Sequence, residues 1–194
     1  METPGYTYGT AVVARSPLTL DEFAQMKQTA LFSDDDVQAL RASRALVEHR
    51  VEEILDVWYG FVGSHPHLLD SFTDAGSGAP VAAYLGAVRQ RFGRWILDTA
   101  QANYDQAWLD YQYEIGRRHH RVAKNRTDGV TSTALVPFRH LFALIVPVTT
   151  TLRPFLAAGG HSAAEVDRMH AAWVKSCLLQ VTLWSQPYVK DGDF

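Results

Sequence analysis

The sequence predicts an all-α fold, and three observations support this prediction. Apolar residues recur at intervals of three and four over most of the chain, whereas no alternation of period two extends beyond a few residues. A helix-capping pattern, in which Ser or Thr precedes an acidic residue by three positions, occurs at Thr19, Ser33 and Ser162. The length of 194 residues and the hydrophobic content of 47% are those of one domain with a sizeable core.

The N-terminal third is expected to hold an irregular arm followed by helices. Residues 1–17 contain Pro near both ends and lack a helical pattern, so they are interpreted as an arm. The capping pattern at Thr19 predicts a helix over about 20–30. From Ser33 the helical pattern continues to Val62, and it fits either one long helix or two abutting helices.

The rest of the chain is expected to form a loop and four helices. A Gly- and Ser-containing stretch marks the loop at 73–80. The predicted helices cover approximately residues 80–98, 104–124, 134–157 and 162–186. Pro147 lies inside the third of these helices and should kink or break it.

Composition and charge exclude several classes of protein. The formal net charge of -3 gives no overall attraction to nucleic acids or to anionic membranes. The single cysteine, Cys177, excludes an internal disulfide and is most simply a small core residue. There is no signal-peptide pattern, and no apolar run approaches the length of a membrane span. We therefore expect a cytoplasmic protein that has no nucleic-acid or membrane partner.

The stretch EIGRRHHRV places two histidines side by side on one predicted helix. Steps of three and four residues lead from His119 back to Ile115, Gln112 and Trp108, which lie on the apolar face. The same steps from His120 lead to a polar face that is expected to be solvated. His119 should therefore point toward the core. In an arbitrary helical protein such a residue is more often a hydrogen-bonded core histidine than a ligand.

Basic residues cluster near these histidines and on the preceding helix. The arginines of 89–94 and 117–121 could bind phosphate or nucleic acid, but solvated helix faces or partners for an anionic cofactor edge are the better interpretation. Lys124 is expected on the surface with them.

Motifs for other kinds of site are missing or weak. The sequence has no Glu-x-x-His pattern for a di-iron bundle, no phosphate-binding loop and no nucleophile elbow. His65 and His67 are spaced for a small metal site, but the intervening Pro66 favours a surface turn. A metal held by one inward histidine needs further donors, and a porphyrin supplies four in a plane. A helical haem protein is therefore a candidate.

Several long, aromatic-rich stretches resemble the protoglobins, single-domain relatives of the globin-coupled sensors. They are PGYTYG (4–9), VEEILDVWYGFVGSHPHLL (51–69), RFGRWILDT (91–99), YDQAWLDYQYEIGRRHHR (104–121), RPFLA (153–157) and LWSQPYVKDGDF (183–194). The resemblance implies a single domain, 1–194, with a globin-like helical sandwich that holds haem b. Residues 1–32 would be an N-terminal arm and extra helix, and residues 33–194 the globin core.

The resemblance also implies roles for individual residues. The first histidine of the family's paired motif is the proximal iron ligand, which corresponds to His119. The distal side, where O2, CO and NO bind, corresponds to Trp58, Tyr59, Val88 and Phe92. Family members take up gases through apolar tunnels and form homodimers through the last two helices.

One position departs from the family pattern. Leu144 stands where relatives carry Phe beside the distal pocket, and the neighbouring Val148 is also small. The ligand affinity and access route of relatives are therefore not transferred to this chain. For the haem propionates, which need cationic or hydroxyl partners, we expect Arg91 and Tyr8.

Three functions remain open at this point. The first is reversible binding of diatomic gases for storage, scavenging or sensing. The second is a haem enzyme acting on reactive nitrogen or oxygen species, such as an NO dioxygenase, a nitrite reductase or a peroxidase-like enzyme. The third is a helical interaction protein without haem. The apolar distal stripe favours gas binding, and the distal hydrogen-bond donor is either Tyr59 or Trp58.

Overall fold

Nine α-helices make up the regular structure of residues 3–194, which are the residues described by the computed structural model. They are α1 (Leu20–Thr29), α2 (Asp34–Val47), α3 (Val51–Gly63), α4 (Pro66–Leu69), α5 (Ala82–Gln101), α6 (Gln106–His119), α7 (Phe138–Ala143), α8 (Ile145–Ala157) and α9 (Ala163–Ser185). Single 3-10 turns follow α4 and α9, at Asp70–Phe72 and Gln186–Tyr188. The all-α prediction is confirmed.

The helix starts follow the capping chemistry that the sequence indicates. At Thr19 and Ser162 the backbone N–H donates to the carboxylate of the Glu three residues later, at 2.8 Å in each case. The Ser33 N–H donates to Asp36 in the same way, also at 2.8 Å. The helical stretch that begins at Ser33 proves to be two abutting helices, α2 and α3.

Two predicted helices are shorter than expected. α6 ends at His119, not at 124, because the next residue is extended and Val136 N–H donates to the His119 carbonyl at 2.8 Å. The predicted helix 134–157 is divided at Leu144 into α7 and α8. Pro147 has no N–H to bond the Ala143 carbonyl and its ring crowds that oxygen, so the first segment ends there.

α9 runs through the centre of the fold and packs against α2, α6 and α8. Its crossing with α6 is close, because a Cβ added to Gly116 would lie 2.8 Å from the Cα of Trp184. Any side chain at Gly116 would therefore push the two helices apart. This crossing brings the end of α6 and the end of α9 together.

The N-terminal arm lies on α5 and α6. The Tyr6 hydroxyl donates to Asp98 at 2.8 Å, and the rings of Tyr6 and Tyr8 pack edge-on against Tyr111. Gly5 has a φ of +71°, and a Cβ there would lie 2.7 Å from Nη1 of Arg91. The arm thus approaches α5 more closely than a larger residue would permit.

One expectation about membranes needs correction. By length and composition alone, the 20 residues Phe138–Ala157 pass as a candidate membrane span. This stretch contains the break at Leu144, and α8 packs against α9 and α3, although only 28% of the apolar window is buried inside the protein. Core helices satisfy the same criterion, so the finding is weak support for a membrane segment.

Candidate functional site

Helices α3, α5, α6, α8 and α9 surround a cavity of about 260 Å³. Most of its wall is apolar or aromatic. Eight of the nine residues proposed from the sequence line it: Trp58, Tyr59, Val88, Arg91, Phe92, His119, Leu144 and Val148. Tyr8 does not, because its ring packs against Tyr6 and Tyr111. The sequence therefore located the cavity, and the role of Tyr8 as a propionate partner stays a prediction.

The cavity has three parts with different chemistry. The His119 wall comes from α6 and α9 and contains Ile115, His119, Val181 and Trp184. The Tyr59 wall comes from α3, α5 and the α7–α8 junction and contains Trp58, Tyr59, Val88, Phe92, Leu144 and Val148. The polar end contains Arg91, Arg118, Lys124 and Asp128.

His119 is held in one orientation by its own helix. Its Nδ1 lies 2.8 Å from the carbonyl oxygen of Ile115, one helical turn earlier. That oxygen can only accept, so Nδ1 carries the proton and Nε2 keeps its lone pair. Burial lowers the pKa of His119, and the charge of Lys124 lowers it further, so the imidazole is neutral at pH 7. A neutral ring with a free Nε2 is a competent metal ligand.

The end of α9 supports this histidine. The indole of Trp184 stacks on the His119 ring, with centroids 5.2 Å apart and planes 11° apart. The indole N–H donates to the side-chain oxygen of buried Gln112 at 2.8 Å. The Tyr188 hydroxyl lies 2.7 Å from the His119 carbonyl and 2.8 Å from that of Val136, and it donates to this pair. Sequence reasoning missed both aromatic residues as supports of His119.

His120 takes no part in the cavity wall, as the helical wheel predicts. It is not simply solvated, however. Its ring is half-buried against Tyr188, with centroids 4.8 Å apart, and its Nδ1 is buried and has no hydrogen-bond partner within residues 3–194. The reason is that α6 ends one residue earlier, so the wheel no longer fixes the direction of this side chain.

The Tyr59 wall is built by aromatic packing. Trp58 and Phe92 meet edge-on with centroids 5.7 Å apart, and Phe92 stacks on Trp95 at 5.2 Å. Within residues 3–194 the Tyr59 hydroxyl bonds no other group, which leaves it free to donate into the cavity. Burial raises the pKa of Tyr59, so this hydroxyl remains protonated under all ordinary conditions.

The polar end differs from expectation. Arg91 does line the cavity, but its guanidinium is paired with Asp128 at 2.7 and 3.0 Å. Arg118 is paired with Glu114 at 2.9 Å. Lys124, expected on the surface, is only 3% exposed and contributes to the wall. Because it follows the end of α6, its burial depends on the turns there and not on helical periodicity.

The side chains of the cavity wall offer few of the donors that metals require. Within residues 3–194, no three His, Cys, Asp or Glu side chains converge as a metal site. The rings of His65, His67 and His140 are neighbours, at 5.8 and 5.4 Å, but do not form such a set. A second imidazole, that of His140, also lines the cavity, but it belongs to α7 and not to the His119 wall. The oriented imidazole of His119, the flat aromatic walls and the cationic end together suit a planar macrocycle that supplies its own metal donors and carries carboxylates.

Comparison with known proteins agrees with this geometry. The globin domain of the Geobacter sulfurreducens globin-coupled sensor is similar in structure, with a TM-score of 0.66 and 16% sequence identity over 86% of this chain and 97% of that chain. At this identity the likeness establishes the fold, which is globin-like. No curated protein matches the chain significantly. The sequence model of the protoglobin family matches residues 19–194, and the chain therefore belongs to the protoglobin family.

Proposed function

We propose that this protoglobin holds haem b through His119 alone and binds O2, CO and NO reversibly beside the Tyr59 wall. The observation that carries the proposal is the state of His119, whose Nδ1 is committed to the Ile115 carbonyl at 2.8 Å while Nε2 is free. The family and the globin-like fold support haem and gas binding in general. His119 as the iron ligand, haem b as the cofactor, and O2, CO and NO as the gases are the proposed details.

When bound, haem would supply an iron atom that can take a diatomic gas as a ligand. The chain's own residues orient the His119 ring and exclude water. The Ile115 carbonyl and the Trp184 indole keep the His119 ring from rotating. The rings of Trp58 and Phe92 keep water away from the gas side, because an apolar wall offers water no hydrogen bonds.

Tyr59 is the proposed hydrogen-bond donor to a gas ligand. Its hydroxyl has no competing partner in residues 3–194, and such a bond is worth about 1–1.5 kcal/mol, or roughly tenfold in affinity. Because burial raises its pKa, Tyr59 donates a hydrogen bond without releasing a proton. This favours reversible binding over a haem enzyme, which needs a group that gives up protons near neutral pH.

An absorption spectrum of the purified protein tests the proposal. We expect a Soret band, and a shift of that band when CO is added to the reduced protein. A protein that carries no haem after expression with excess haem precursor, and takes none up afterwards, would support the interaction-protein alternative. Catalytic turnover of NO or peroxide with a reductant would favour the enzyme alternative.

We also propose a homodimer formed through the last helices of a cytoplasmic protein. Large apolar side chains remain exposed there: Phe138 at 42%, Phe142 at 37%, Val146 at 67% and Leu178 at 43%. Apolar residues grouped on adjacent helices favour burial against a second copy. Light scattering at micromolar concentration should report about twice the chain mass of 21.7 kDa, and Val146→Glu should shift the protein to the monomer. A wild-type monomer would contradict this prediction.

A further inference from the structure

Lys124 is a buried cation that has no counter-ion among residues 3–194. It is 3% exposed, and within residues 3–194 no carboxylate pairs with it. The other two cations of the polar end are both paired, Arg91 with Asp128 and Arg118 with Glu114. Burial of an unpaired charge is unfavourable, so such a residue is retained where something else neutralises it.

The immediate partners of Lys124 solvate its ammonium group without neutralising it. Nζ donates to the Ser71 carbonyl at 2.9 Å and to the Ser132 hydroxyl at 3.4 Å, and lies 5.4 Å from the centre of the Tyr84 ring. An ammonium group has three N–H donors, so one remains available. Burial lowers the pKa of Lys124 to about 8, as expected for a cation that lacks a nearby negative charge.

The surroundings indicate the kind of anion that would complete the site. Lys124 forms part of the wall of a cavity that is otherwise largely apolar. A small, strongly hydrated anion would lose its water there without compensation. A carboxylate attached to a large apolar body would instead bring its charge to Lys124 while its body fills the cavity.

We propose that Lys124 binds a carboxylate of the ligand that fills this cavity, and that this carboxylate is a haem propionate. The assignment rests on the proposed function. It replaces Tyr8, which lies outside the cavity, and Arg91, whose guanidinium is already paired with Asp128. A fatty acid offers the same chemistry and is the alternative source of the carboxylate.

Lys124→Met is an informative variant, because it removes the charge and keeps most of the volume. The Ser71 carbonyl still accepts from the Ser132 hydroxyl at 3.1 Å, so the variant leaves no acceptor without a partner. Without haem, the chain should unfold at a higher urea concentration than the wild type, because an uncompensated buried charge is gone. If Lys124 only stabilised the fold, Lys124→Met would instead unfold at a lower urea concentration than the wild type. Lys124→Gln, which keeps a donor, serves as a second variant.

The test measures haem loss from the full-length holoprotein to excess apomyoglobin. Each protein is loaded either with haem b or with its dimethyl ester, in which both propionates are neutral. Lys124→Met should lose haem b roughly 10- to 100-fold faster than the wild type, as expected for a lost charged hydrogen bond. It should lose the dimethyl ester at the wild-type rate. Lys190→Met, at an exposed lysine, is the matched control and should behave as the wild type.

Each other outcome overturns the assignment in a distinguishable way. Equal acceleration for both haems would mean that Lys124 supports the fold and binds no propionate. An unchanged rate for haem b would mean that another residue holds the propionate. If the wild type takes up neither haem but binds palmitate in a Lys124-dependent manner by calorimetry, the carboxylate is a fatty acid and the proposed function fails as well.

Discussion

The two walls of the cavity are built by different forces. On the His119 wall the polar groups are held by hydrogen bonds, from His119 Nδ1–H to the Ile115 carbonyl and from the Trp184 indole N–H to Gln112. On the Tyr59 wall the side chains are held by ring packing, and the one hydroxyl is left free. Hydrogen bonds fix direction, whereas dispersion between rings fixes mainly distance and shape. The wall that carries the proposed metal ligand is therefore the directional one, and the wall proposed to receive a gas is not.

Removal of the aimed lone pair should have the largest effect. His119→Ala should lose most of its haem, because the other imidazole that lines the cavity, His140, comes from α7 and not from that wall. His120→Ala is the control and should keep a near-normal Soret band, since His120 is absent from the cavity wall. If His120→Ala is the variant that loses haem, the assignment of the ligand is wrong.

Removal of the Trp184 indole that supports His119 should have the second-largest effect. Trp184→Leu leaves the buried Gln112 oxygen without its donor and opens space beside the His119 ring, so we expect a loss of roughly 2–4 kcal/mol in the free energy of unfolding. Trp184→Phe keeps an aromatic stack and should lose only about 1–2 kcal/mol. Urea titrations measure both values. Equal losses would show that the hydrogen bond contributes little beyond the packing.

Removal of the free Tyr59 hydroxyl on the other wall should have a smaller effect, which distinguishes between gas ligands. Tyr59→Phe should raise the O2 dissociation rate by up to about tenfold and leave that of CO nearly unchanged, because bound CO carries less charge on its terminal atom. Stopped-flow measurements with both gases test this. Small, equal changes would identify Tyr59 as a spacer, with Trp58 as the remaining candidate donor.

The smallest effect is expected at Leu144, which packs with Val148 beside Trp58. Phe in place of Leu fills space that a packed interior cannot close by itself. Leu144→Phe should therefore slow CO association by a factor of a few and leave dissociation nearly unchanged, as flash photolysis can measure. Rebinding at the parent rate would mean that the additional space at Leu144 does not serve as a route for gas.

The parts of the fold that depend on neighbouring residues were predictable from the sequence. Capping at Thr19 and the inward direction of His119 both follow from local spacing. The burial of Lys124 does not follow from local spacing. The helical periodicity that predicted an exposed Lys124 ends with α6 at His119, five residues earlier. The support of His119 by Trp184 could not be predicted from local spacing either, because it depends on a crossing between helices that are distant in sequence.

That crossing also has a mechanical consequence. With only a hydrogen atom at Gly116 between α6 and the backbone of α9, the two helices have no layer of side chains that could deform and absorb a displacement. A displacement of the His119 imidazole would therefore be transmitted to α9 with little damping. Tyr188, bonded to the His119 carbonyl just beyond the end of α9, would move with it. The two helices would then move as one rigid unit that connects the proposed metal ligand, His119, to the C-terminal residues of the chain.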